Sequence, residues 1–261
     1  MSYLHSVMLG VVQGIAEFLP ISSSGHLVLA ESVLGLQSET NLAFNVALHV
    51  GTLFSILLVF RKQLLDMLMQ PRVIGAIIVA TLPLVPVGLL AHDVLDRAFG
   101  SPFAAGVALC VTACLLWTTR WIDRGAVELR DITWKQALVV GLFQAVAPVP
   151  GISRSGVTIF AGLLAGMNRQ TAATFSFLIA IPAILGAATL ETLKLVKAGE
   201  FSTIQWTVYG AGAAVAFLVG VFALQGLLKI ITARKLHAFA WYCLAVGMFA
   251  IAASMRGAWG A

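Results

Sequence analysis

The sequence predicts an all-α integral membrane protein, with six transmembrane helices plus two re-entrant helical hairpins in an inverted-topology repeat. Three observations carry that expectation. The chain of 261 residues is 60% hydrophobic and only 10% charged, against roughly 25% charged residues in a soluble domain, so a soluble fold could not cover itself. Mean hydropathy is +0.97, and apolar runs of roughly the 17–25 residues needed to cross a hydrocarbon core recur along the chain. Two serine- and glycine-rich turns, each behind a proline, interrupt two further apolar stretches.

In chain order, residues 3–20 form the first apolar stretch. Gln13 and Glu17 stand where a signal-peptide core would be purely apolar, and there is neither a basic start nor a small-residue cleavage site, so the stretch reads as part of the fold. Pro20 stops it, and Ser22-Ser23-Ser24-Gly25-His26 starts a short second helix, giving a re-entrant hairpin over 3–36. Spanning helices are expected over 42–60, 73–91 and 102–119. The second hairpin, 136–167, runs through Pro150 into Ser153-Arg154-Ser155-Gly156, and spanning helices follow over 171–190, 206–228 and 236–255.

The hairpins resemble one another at an offset of 131 residues. Gln13, Ala16, Ile21, Ser22, Ser24 and Gly25 match Gln144, Ala147, Ile152, Ser153, Ser155 and Gly156, far more identity than average composition gives over so short a stretch. A duplication is therefore expected, with repeat one over 1–125 and repeat two over 126–261, in a single membrane domain. Each repeat holds one hairpin and three spans, and an odd number of crossings inserts the second repeat upside down. The hairpin tips would then meet near the midplane from opposite sides.

Net charge is +5, but the cations lie in short loops and form no stripe for nucleic acid. Their meaning is topological. Arg61, Lys62, Arg72, Arg120, Arg124, Arg130, Lys135, Arg169, Lys229, Arg234 and Lys235 fall on one side of the expected membrane, and Arg97, Lys194, Lys197 and Arg256 on the other. The richer side is cytoplasmic by the positive-inside rule, which puts both termini and the first hairpin outside. Cys110, Cys114 and Cys243 lie in apolar runs without a CxxC pair and read as packing residues.

The chemistry concentrates in the hairpins. Glu17 is the acidic residue that falls well inside an apolar run, where an ionisable group marks function by default, although a neutral Glu17 bonding a neighbouring helix is the plain alternative. Gln13 is four residues before it and shares its helix face. A serine- and glycine-rich turn feeding a helix presents free N–H groups at the positive end of the dipole, which suits a phosphate; alone it is ordinary capping. Arg154 between two serines at the second helix start requires an anion, either Glu17 or a phosphate. Phosphate contacts are accordingly expected from Ser22, Ser24, Gly25, Ser153, Arg154, Ser155, Gly156 and Thr158. His49 reads as a helix contact, and Asn45, one turn before it, as a residue facing the same cavity.

Residues 13–26, Gln-Gly-Ile-Ala-Glu-Phe-Leu-Pro-Ile-Ser-Ser-Ser-Gly-His, and 150–158, Pro-Gly-Ile-Ser-Arg-Ser-Gly-Val-Thr, resemble the signature motifs of the bacterial undecaprenyl-diphosphate phosphatase family of the bacitracin-resistance type. The resemblance covers essentially the whole chain. It implies an inner-membrane enzyme, its active site open to the periplasm, that hydrolyses undecaprenyl diphosphate to the monophosphate and phosphate, recycling the carrier of cell-wall synthesis. It places Glu17, Ser23, His26 and Arg154 at the family's functional positions and implies a divalent cation, Mg2+ or Ca2+, on Glu17 and Gln13. Many members have Glu where this chain has Gln13, which leaves Glu17 as the carboxylate of that site.

The bottom-up chemistry agrees. Ser23 is expected to attack the terminal phosphorus while His26, three residues on, shuttles its proton and Glu17 orients His26 or holds the metal. Direct attack by water stays open. A transporter or flippase of polyprenyl phosphates is the main rival class, and an intramembrane serine protease a weaker one, since a peptide bond has no need of Arg154. Lipid bilayer and polyprenyl diphosphate are the expected partners, with no nucleic acid; the sequence is silent on oligomeric state and compatible with a homodimer.

Overall fold

The structure is a computed structural model that describes residues 1–36, 42–90, 98–122, 125–197 and 205–257. Among these the chain is helical, apart from a single bridge between Val127 and Met167. The helices are α1 (Tyr3–Ala16), α2 (Ser23–Val33), α3 (Leu42–Val59), α4 (Arg61–Leu68), α5 (Pro71–Thr81), α6 (Leu84–Leu90), α7 (Pro102–Thr118), α8 (Trp134–Gln144), α9 (Arg154–Leu164), α10 (Arg169–Lys197), α11 (Trp206–Thr232) and α12 (Phe239–Met255).

Each segment expected to span is carried by helix over most of its described residues. By length and composition Pro71–Leu90, Arg169–Lys197, Trp206–Thr232 and Leu236–Met255 can each cross a membrane, and α3 with α4 adds a fifth if their 72° bend is taken as one broken span. The helix α7 is apolar but has 17 residues. Arg97 and Arg124, used above in the topology, lie outside the described residues.

Local chemistry sets the ends. Ser2 caps α1 and Ser101 caps α7, which starts on Pro102, where a missing N–H costs nothing. Thr133 and Gln136 close a capping box on α8. The Gln136 amide also reaches the Ala165 carbonyl at 2.9 Å, tying together the two ends of the second hairpin.

The hairpin helices α1 and α2, like α8 and α9, pack on one another, and none has more than 14 residues. At 1.5 Å per residue that is short of a hydrocarbon core of about 30 Å. Small residues bring the hairpins against longer helices. Gly10 and Gly14 of α1 meet Gly212 and Ala216 of α11, so the two helices run in the same direction. Gly141, 131 residues after Gly10, meets Ala80 of α5 in the same manner. Without a hydrophobic drive between helices in lipid, such close backbone approach is what holds a bundle together.

The first half of α10 is buried from Thr171 to Ala180, and Phe175 and Phe177 join Phe18 and Phe60 in the main core. Outward-facing positions stay apolar, among them Phe54, Phe222, Trp241 and Met248. A soluble surface would not present such patches; a lipid-facing one does. Cys243 is buried in that core as a packing residue, while Cys114 is exposed and Cys110 half-buried.

Candidate active site

The tips of the hairpins meet. Ser22 joins them: its Oγ accepts from the amide of Gly25 in its own turn at 3.2 Å and from the amide of Gly151 in the other at 3.1 Å. To do so it takes a left-handed backbone, φ 69°, which is uncommon outside glycine. Gly25 and Gly151 are in near contact, for a Cβ on Gly25 would stand 2.9 Å from Cα and N of Gly151. Thr112 of α7 supports the second tip, donating to the Gly151 carbonyl at 2.8 Å and accepting from the Ser153 amide at 3.1 Å.

The repeated positions repeat their work. Ser153 caps α9 through Gly156 N at 3.1 Å as Ser22 caps α2, and Ser155 lies 3.3 Å from Ser153 as Ser24 does from Ser22. Thr158 turns inward to Ser176 at 2.6 Å. Ser22, Ser153, Ser155 and Thr158 are thus buried and engaged inside the protein. Their hydroxyls shape the tips.

The residues where the repeats differ converge instead. Ser23 and Arg154 are equivalent at the 131-residue offset, and each is the first residue of its helix. Both reach Glu17, which lies at the end of α1 and is 7% exposed. Ser23 Oγ donates to Glu17 Oε2 at 2.6 Å, Gln13 Nε2 donates to the same oxygen at 3.1 Å, and Arg154 Nη2 donates to Oε1. His49 Nε2 of α3 lies 3.7 Å from Oε2. Among the described residues Arg154 Nη1 is buried without a hydrogen-bond partner, as is Gln13 Oε1. A buried guanidinium N–H with nothing to bond is costly, and its natural complement is an anion.

His26 is placed elsewhere. Its Nδ1 lies 2.9 Å from the Ser22 carbonyl, which can only accept, so Nδ1 carries the proton; Nε2 then accepts from the Tyr242 hydroxyl at 2.9 Å, with the two rings stacked. The expected contact of His26 with Ser23 gives way to one between Ser23 and Glu17. The reason is local: Ser23 opens the helix beside α1, whereas one turn later the His26 ring faces α12. Glu17 likewise orients Ser23 and not His26. Three donors reach its oxygens, and beside it Gln13 Oε1 has no hydrogen-bond partner among the described residues.

The family model for the bacitracin resistance protein BacA matches residues 6–249. The chain belongs to this family. It is 43% identical to an undecaprenyl-diphosphatase of Rhodopirellula baltica over 97% of this chain and 98% of that one. It is 39% identical to an undecaprenyl-diphosphatase of Alkaliphilus metalliredigens, over 98% of this chain and all of the other. Identity to that of Desulforapulum autotrophicum is 38%, over 97% and 99%. With family membership and its apolar helices, the chain is a multi-pass membrane protein.

Two members of the site escaped sequence reasoning. His49 and Tyr242 come from helices remote in sequence from the motifs. For His49 a signal existed: Asn45, His49 and Thr52 form a polar stripe at helical spacing in an otherwise apolar run.

Proposed function

We propose that this chain hydrolyses undecaprenyl diphosphate to undecaprenyl phosphate and inorganic phosphate, and thereby recycles the lipid carrier of peptidoglycan synthesis and confers resistance to bacitracin. One observation carries the reading: a serine hydroxyl donates to a buried carboxylate whose arginine partner keeps a second, buried N–H without a protein partner among the described residues. A forked guanidinium can hold Glu17 with Nη2 and a phosphate oxygen with Nη1.

In the proposed reaction Ser23 Oγ attacks the terminal phosphorus and its proton passes to Glu17 Oε2. The new Oγ–P bond replaces the bond from that phosphorus to the bridging oxygen, which leaves on undecaprenyl phosphate and takes up the proton from Glu17, restoring the carboxylate. Water, activated by Glu17, then breaks the Oγ–P bond, releasing inorganic phosphate and returning a proton to Ser23. Arg154 and the N–H groups at the starts of α2 and α9 balance charge on the phosphoryl oxygens throughout. A divalent cation, Mg2+ or Ca2+, fits a site with one unpaired amide oxygen: it would be held mainly by the diphosphate and touch the protein at Gln13 Oε1. When bound it neutralises phosphate charge.

The same reading includes the finer topology. Six spans and two re-entrant hairpins form an inverted repeat in the bacterial inner membrane, with the site open to the periplasm. The matched caps at Ser22 and Ser153 and the matched glycine contacts at Gly10 and Gly141 support a repeat. All the site residues belong to one chain, so activity is expected of a monomer as of a homodimer.

The test uses purified protein in detergent, with no gradient across any membrane. Stoichiometric phosphate release from undecaprenyl diphosphate, together with a phosphorylated Ser23 peptide after acid quench, is the expected result. Lipid movement in vesicles without phosphate release would favour a flippase. Turnover in Ser23→Ala above a tenth of normal would instead favour direct attack by water.

A further inference from the structure

We infer that His49 is the positioning residue of the reaction: it holds Glu17 Oε2, the oxygen that receives the proton of Ser23. The inference rests on the role given to Glu17 above. Four groups surround that carboxylate, with Arg154 on Oε1, and Ser23, Gln13 and His49 on Oε2. The Arg154 and Ser23 ends engage substrate, so they loosen when a diphosphate enters and a proton moves. His49 is the member of the set that comes from α3, a helix that carries neither tip.

Its geometry suits that task. The ring is fixed by Nδ1, 2.8 Å from the Asn45 carbonyl on the same helix. A carbonyl only accepts, so Nδ1 bears the hydrogen and Nε2 is the nitrogen that meets Glu17. At 3.7 Å the pair is at ion-pair distance, slightly beyond a hydrogen bond. With one proton between them the contact is favourable, as imidazolium to carboxylate or as imidazole to carboxylic acid. The charged groups that face His49 are Glu17 and, across that carboxylate, Arg154.

The backbone of α3 holds the ring at a constant height. Ser55, one and a half turns below, donates to the Phe217 carbonyl at 2.8 Å, and Gly51 lies against Ala213, so α3 is seated on α11 at the level of the site. The His49 side chain is 33% exposed against 6% for Glu17.

The experiment compares His49→Ala and His49→Phe with the parent in detergent, measuring kcat and the affinity of a methylene-diphosphonate lipid analogue that cannot be cleaved. Expected is a fall in kcat of about 10- to 100-fold, the scale of a displaced catalytic group, with analogue affinity within about twofold. Added imidazole should restore kcat in His49→Ala and fail in His49→Phe, where the ring space is filled. Thermal melting of each variant reports on folding. Parental kcat in both variants, a loss that resides in analogue affinity, or a loss in His49→Ala that imidazole leaves unchanged would each overturn the inference. Failure of the phosphoserine route is separate: it would show as turnover by Ser23→Ala, and the His49 measurements would still report on Glu17 as base for water.

Discussion

Arg154 does two jobs with one planar fork, Nη2 on Glu17 and Nη1 free for a phosphate. An ammonium keeps the charge and loses that geometry. Arg154→Lys is therefore expected to insert and purify normally yet turn over roughly 100-fold more slowly, the scale of a lost oxyanion donor. Turnover within a few fold of the parent would remove Arg154 from the phosphate site. Couplings at Ser23 are equally checkable. Ser23 bonds Glu17, so the losses in Ser23→Ala and Glu17→Gln are expected to be non-additive, because nucleophile and base act as a unit. His26 bonds Tyr242, so His26→Ala should multiply with Ser23→Ala as an independent change. Single-turnover phosphate release for the singles and doubles decides this; coupling of Ser23 to His26 in place of Glu17 would reverse the assignment. The residue types of the site were legible from the motifs. Their pairing was not, since spacing along a helix sets reach but leaves open which neighbouring helix a side chain meets.

At the scale of elements, the hairpins work as a joined pair. Gly25 and Gly151 let their tips touch, and Gly151 also needs its φ of +98°. A methyl at Gly25 would press on backbone, which cannot yield as a flexible side chain does. Gly25→Ala is expected to destabilise the protein by about 1–3 kcal/mol and to reduce kcat by moving Ser23 away from Arg154. A variant that melts and turns over like the parent would show that the tips have slack. Both hairpins were readable from proline, serine and glycine at matched offsets. The comparison of tips separates the serines: identical positions hold the turns, and the pair that differs, Ser23 and Arg154, meets at Glu17.

At the scale of the whole molecule, the uneven distribution of Lys and Arg predicts both termini outside. A C-terminal alkaline phosphatase fusion is expected to be active and a cytoplasm-only fluorescent reporter dark; bright fluorescence would invert the topology. The common direction of α1 and α11, seen in the paired contacts of Gly10 with Gly212 and Gly14 with Ala216, agrees with both helices entering from one side. By itself the sequence determined the helical membrane class, the helix positions, the likeness of the two hairpins and the choice of Glu17, Ser23 and Arg154 as candidates. These follow from local physics, namely apolar run length, caps and the cost of charge in lipid. Only the tertiary structure decided that Ser23 gives its hydrogen bond to Glu17, that His26 turns to Tyr242, and that His49 meets the carboxylate. Those contacts join residues from different helices, brought together by small-residue packing whose partners a one-dimensional pattern does not specify.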